Sequence, residues 1–140
     1  NTSKNFNPTF MDPVVHFEMP YDNRERMSDF YSKTFDWKMQ NMGEAMGDYM
    51  VASTSQGDEN GRPTEPGMIN GGFYKKLEDQ AANVTSFVIA VQDLNATIEK
   101  IKANGGKMLT EPMDIPGIGT FASFMDTEGN RVSVLKPIMQ

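Results

Sequence analysis

The chain has 140 residues, 38% of them hydrophobic and 23% charged, which is enough for one ordinary domain with its own core. A net charge of −6 without a basic run gives no electrostatic footprint for nucleic acid, and no apolar run approaches the ~20 residues of a membrane span. The absence of cysteine excludes disulfides, thiol catalysis and cysteine-bound metals, and a single histidine, His16, excludes any site that needs two from one chain.

In chain order, residues 1–12 read as an irregular arm rich in Asn and without periodicity. No apolar signal-like stretch is visible there, so a cytoplasmic protein is the default expectation. Residues 14–19 (VVHFEM) predict a strand that stops at Pro20, which cannot donate to a ladder. Asp22 or Asn23 is placed to cap a helix whose apolar positions are Met27, Phe30, Tyr31, Thr34 and Phe35, spaced as one helical face. Short strands are expected over 37–40 and 49–53. Residues 54–67 (TSQGDENGRPTEPG) hold no apolar side chain and read as an exposed loop. A strand over 68–74 and a polar connector over 75–83 close the first half.

The second half begins with a β-branched strand over 85–91. Asp93 can cap a helix with an apolar stripe at Leu94, Ile98 and Ile101, and Asn104-Gly105-Gly106 stops it. A strand is expected over 107–110, a Pro- and Gly-containing loop over 112–119, a strand over 120–125, a tight turn over 126–130 and a last strand over 131–136. The two halves repeat one order of elements. A shift of about 70 positions sets His16 on Ser86, and a shift of about 72 sets Tyr49 on Phe121.

Three stretches carry a resemblance in the right order and spacing. VVHFEMPYDNRERMSDFYSKTFDWKM, VQDLNATIEKIKANGGKML and IPGIGTFASFMDTEGNRVSVLKP resemble the opening, the second helix and the closing hairpin of the vicinal oxygen chelate superfamily, the group of glyoxalases, bleomycin-resistance proteins and extradiol dioxygenases. The resemblance covers about residues 13–137. It implies an α+β, glyoxalase-like fold in which two βαβββ modules, 13–74 and 84–137, form a curved mixed-sheet cleft. It also implies a homodimer.

Metal-dependent members hold a divalent ion with His or Glu from the first and last strands of each module. Carried onto this chain, the four positions hold His16, Asn70 or Gly72, Ser86 and Ser133. One imidazole, hydroxyls and a glycine do not compete with water for zinc or nickel, which need three or four protein ligands. No tightly bound metal and no other cofactor are therefore expected. Glu18 lies two residues from His16 and shares its strand face, so the pair could hold a weak ion. Alternatively Glu18 pairs with Arg131. A serine–histidine dyad is not expected.

The resemblance and the residues together predict a protein that binds a small, partly apolar molecule in its cleft. The expected contacts are His16, Glu18, Tyr49, Asn70, Ser86, Phe121 and Ser133. Met50, Met68, Met108, Met125 and Phe124 could add an adaptable apolar wall, and the 54–67 loop could act as a lid. The acidic balance suits a cationic ligand. The alternative is a lyase or isomerase acting on an oxygenated small molecule, with His16 and Glu18 as acid–base groups. A third reading is an accessory domain that works only through protein contacts.

Overall fold

A computed structural model describes residues 11–138; the expected arm lies outside them except for Met11 and Asp12, which have no regular structure. The first half runs β1 (Val14–Tyr21), α1 (Arg24–Phe35), β2 (Lys38–Asn41), β3 (Met50–Ser53) and β4 (Asn70–Lys75). The second runs β5 (Ser86–Ala90), α2 (Leu94–Ala103), β6 (Lys107–Met108), β7 (Met113–Ile115), β8 (Gly119–Met125) and β9 (Arg131–Pro137).

The strands form one curved, open mixed sheet in the order β2-β3-β4-β1-β5-β9-β8-β6, with β7 added beside β8. Reading outward from the centre, β1-β4-β3-β2 mirrors β5-β9-β8-β6. The shared plan of the two halves is thus a pseudo-twofold axis between β1 and β5. These two strands pair antiparallel, with His16 opposite Val88 and Glu18 opposite Ser86.

Local chemistry sets the boundaries. Asn23 caps α1 by accepting from the Arg26 N–H at 2.9 Å, and Asp93 caps α2 by accepting from the Ala96 N–H at 3.0 Å. Gly105 follows α2 with φ of 97°, a value that glycine adopts without steric penalty. Two expectations are revised. β1 continues through Pro20, because the β5 pairing ends at Glu18 and Pro20 keeps only β4 as neighbour. The loop expected over 112–119 contains β7, since Met113 to Ile115 find free edge groups on β8.

Strand alternation divides the sheet into two faces. Both helices cover the same face. Under α1, Phe17, Met19 and Tyr21 of β1 pack with Met50, Ala52 and Phe73, and Met27, Tyr31 and Trp37 lie against them. Tyr31 stacks on Trp37 at 4.8 Å between ring centroids and tilts against Phe73 at 5.2 Å. Phe30, Thr34 and Phe35 of the expected helical stripe stay exposed, so α1 touches the sheet chiefly through Met27 and Tyr31. Under α2, Val91, Leu94, Ile98, Ala122 and Val134 form the second core. Each fully buried Val, Leu, Ile, Phe or Met side chain among these contributes roughly 1.5–3 kcal/mol. Among the described residues no α-helix covers the opposite face.

Candidate functional site on the helix-free face

The register fixes which side chains meet on the helix-free face. His16 and Glu18 of β1 point there, because Phe17 and Met19 point into the core. On β4, Gly72 lies beside Glu18 and Asn70 beside His16. On β5, Ser86 lies beside Glu18. On β9, Ser133 lies beside Val88 and also faces Ser123 of β8. Phe121 and Met125 share that parity on β8.

Two linked clusters result. In the first, the Tyr49 hydroxyl donates to Glu18 Oε2 at 2.9 Å and lies 3.4 Å from His16 Nε2. Tyr49 reaches across because residue 72 is glycine. A β-carbon there would overlap the phenol ring and hydroxyl of Tyr49. Where the family pattern asks for an acid, this chain has open space filled by a phenol. In the second cluster, Ser123 Oγ and Ser133 Oγ share a hydrogen bond of 2.9 Å and are fully buried. Arg131 donates from Nη2 to Ser123 Oγ at 3.3 Å and lies over the Tyr74 ring at 5.4 Å. The Tyr74 hydroxyl in turn donates to the carbonyls of Ala82 and Val84.

Burial dominates the electrostatics of the first cluster. It lowers His16 to about 4, so the imidazole is neutral at pH 7. It raises Glu18 above the usual carboxylate range, opposed by the Tyr49 hydrogen bond and by the charge of Arg131. Burial, reinforced by the Glu18 charge, also pushes the Tyr49 phenol up, so Tyr49 is a permanent donor. The ion pairs among the described residues are Arg24–Asp48, Arg26–Asp22 and Lys33–Asp29. The considered Glu18–Arg131 pair is therefore a longer-range attraction, and the short contact of Glu18 goes to Tyr49.

These residues do not fit a divalent ion. Among the described residues no group of three or more His, Asp or Glu side chains converges. At the four family positions the donors are one imidazole, the Asn70 amide or Gly72, and the hydroxyls of Ser86 and Ser133, one of them already bonded to Ser123. The Tyr49 phenol occupies the space beside His16 and Glu18.

Not every expected contact joins the clusters. Asn70 turns its Oδ1 to the N–H groups of Thr54 and Ser55, at 2.8 and 3.2 Å, and so anchors the start of the 54–67 loop. Phe121 is half-buried beside Leu135 on β9 and Met113 on β7. Met50, Met108 and Phe124 pack under the helices, on the other face from the one considered for them. Met68 is 46% exposed at the foot of β4. Ser123 and Tyr74 are additions to the expected set, and Arg131, expected only as a partner of Glu18, joins through Ser123. Their signal was available: Arg131 has the parity of Ser133, and Ser123 stands in the strand that pairs with it. A recess of about 250 Å³ opens onto the face at Ser86 and Arg131. A wider one of about 400 Å³ lies at the start of α1, where Arg24 and Asp48 already pair at 3.2 Å, and none of the expected site residues line it.

Two mirrored βαβββ halves, the second with the extra strand β7 beside β8, with both α-helices on one face and polar side chains on the other, define the class of paired-module, open-cleft proteins. The chain belongs to the Glyoxalase/Bleomycin resistance protein/Dioxygenase superfamily, whose sequence pattern matches residues 14–134. A glyoxylase-like domain-containing protein of Didymella fabae is 38% identical over 120 residues, covering 84% of this chain and 88% of that protein. A 51-residue stretch is 49% identical to part of a longer Mycobacterium bovis protein named for glyoxylase, only 20% of its length. Among solved structures, a methylmalonyl-CoA epimerase from Mycobacterium tuberculosis is 10% identical with a TM-score of 0.66, covering 98% of this chain and 96% of its own. A hypothetical protein of Bacillus halodurans is 16% identical with a TM-score of 0.65, covering 94% and 98%. The last two likenesses show the fold alone. Among the described residues no helix is long and apolar enough to cross a membrane.

Proposed function

We propose that this superfamily member binds a small, partly apolar molecule over its helix-free face and does so without a resident divalent ion. The observation that carries this reading is the Glu18–Tyr49–His16 contact chain. It offers a buried acceptor, a donor and a neutral imidazole within one reach, in the space where related proteins would need metal ligands. Ser86 and Phe121 extend the contact surface, Asn70 holds the adjoining loop, and Ser133 supports the face through Ser123. In this reading residues 13–137 are one domain with halves 13–74 and 84–137, supported by the mirrored strand order.

A thermal-shift screen of partly apolar compounds, run with chelator present, tests the proposal, since a ligand of the folded state raises its stability by RT ln(1 + [L]/Kd). Replacing His16 by Ala should weaken binding of a hit by ~1–3 kcal/mol, the cost of removing a buried hydrogen-bond partner. Ser133→Ala should weaken it less, because that hydroxyl is fully buried against Ser123. Equal affinities for wild type and His16→Ala would reduce His16 to a structural role.

A second reading is supported by the raised carboxyl of Glu18. The Glu18 carboxylate, its basicity raised by burial and its oxygen held by a phenol beside a neutral imidazole, can take a proton from a carbon acid and, once protonated, return it, as a lyase or isomerase requires. The epimerase neighbours lend this reading the fold and no residue. Proton exchange into a candidate substrate from deuterated water, lost in Glu18→Gln, would favour it over simple binding.

We also propose a cytoplasmic homodimer. Val14, Val15 and Phe87 expose apolar surface beside the central strands, and β2 is an open sheet edge. Light scattering should give twice the 15.7 kDa chain mass; the single-chain mass in dilute solution would contradict the dimer.

A further inference from the structure

The recess at the start of β5 and β9 contains two polar groups that the fold leaves unmatched. Ser86 Oγ and Arg131 Nη1 are both buried and have no hydrogen-bond partner among the described residues. Ser86 is only 7% exposed. The parallel register sets Val88 beside Ser133, so one pleat earlier on both strands Ser86 and Arg131 stand on neighbouring rungs of the same face. Both line the one recess of about 250 Å³.

The guanidinium is fixed in place. Nη2 donates to Ser123 at 3.3 Å, and Tyr74 lies against the guanidinium with its ring centroid 5.4 Å from the central carbon, while Nη1 has no hydrogen-bond partner among the described residues. Burying a donor without an acceptor is unfavourable, so two such groups beside one recess form a pair prepared for an acceptor from outside. An arginine can only donate, which makes the missing partner an acceptor, and its charge makes that acceptor an anion. Asp126 also lines the recess, but its carboxylate accepts from the Asn130 side chain and from the turn N–H groups of Glu128 and Asn130. Glu18 acts on Arg131 through space without bonding it. A phosphate dianion would bring two charges into the field of Glu18, whereas a carboxylate brings one and offers one oxygen to each donor. Ala81 and Val84 also line the recess and add apolar surface for the rest of such a molecule.

We infer that Arg131 and Ser86 form a carboxylate-binding subsite, so that the ligand of this face is a partly apolar small acid. The inference rests on the small-molecule reading of the face given above, and it replaces the cationic ligand that the overall charge suggests with one chosen by the local charge.

The test titrates 3-phenylpropionate, its uncharged amide and inorganic phosphate into the intact chain, read by amide shifts in ¹H–¹⁵N spectra. The acid should bind with its largest shifts at Ser86 and Arg131, and the amide should bind at least about tenfold more weakly, the factor expected for losing a charge-assisted hydrogen bond. Ser86→Ala, a change that leaves the sheet intact, should weaken the acid by roughly 3–10-fold. Arg131→Lys keeps the charge but not the fork, and should weaken it further. Equal binding of acid and amide, tighter binding of phosphate, an unchanged affinity in Ser86→Ala, or no binding of the acid would each overturn the carboxylate assignment. Equal binding of acid and amide would leave the small-molecule reading standing, because that reading is tested by the His16→Ala comparison and not by ligand charge.

Discussion

Replacing Glu18 by Gln should stabilise the fold at pH 8 while weakening whatever the face binds or turns over. The amide is the same shape and its oxygen still accepts from Tyr49, but it cannot ionise. In the wild type, burial holds the folded carboxyl above its ordinary value. Above pH 4.5 the unfolded chain has already lost that proton while the folded chain keeps it, so folding becomes costlier as pH rises, until the folded carboxyl also ionises. The advantage of Glu18→Gln should therefore be small at pH 4, grow upward from there and level off once the wild-type carboxyl has titrated. Denaturant midpoints measured across this range check it. A variant less stable than wild type at pH 8 would show that Glu18 is favourably placed as an anion. Stability gained at the cost of function is the pattern expected of a residue held in an unfavourable environment for chemistry.

The opposite slope belongs to His16. Its folded imidazole is lowered from 6.5 to about 4 by burial. Between those values the unfolded chain binds a proton that the folded chain refuses, so acidification destabilises the fold by up to ~1.4 kcal/mol per pH unit, on the order of 2–3 kcal/mol by pH 4. Above pH 4.5, for as long as the folded Glu18 carboxyl keeps its proton within the His16 window, the two residues pull in opposite directions, and the wild-type profile there should be shallower than that of either variant. His16→Gln should lose stability as pH rises through this window, and Glu18→Gln should gain it. An NMR titration of His16 gives the direct reading: its ring should stay neutral down to about pH 5. A midpoint near 6.5 would mean that the ring is open to water and would remove both the slope and its compensation.

The repeated plan of elements, the helix caps at Asn23 and Asp93 and the turn at 126–130 are local signals, and the fold follows them closely. The shared face of His16 and Glu18 was equally legible, since alternation along one strand needs no partner. What connects strands was not. Tyr49 meets Glu18 only because β3, β4 and β1 lie side by side in that register and because Gly72 leaves room for a ring. Sequence spacing carries none of those facts. Phe121 and Phe124 are three apart on a single strand, so alternation alone sends them to opposite faces. Asn70 shows the reverse case. It occupies the expected rung beside His16, yet its amide answers the backbone of Thr54 and Ser55, a nearer need than any ligand.

The central claim is that the helix-free face works through Glu18, Tyr49, His16 and Arg131 and not through a divalent ion. Elemental analysis of protein purified without chelator and dialysed against metal-free buffer tests it most directly. The expected content of zinc, nickel, cobalt, manganese and iron is far below one ion per chain, and no different in His16→Ala. A near-stoichiometric ion in the wild type that is lost in His16→Ala would contradict the account.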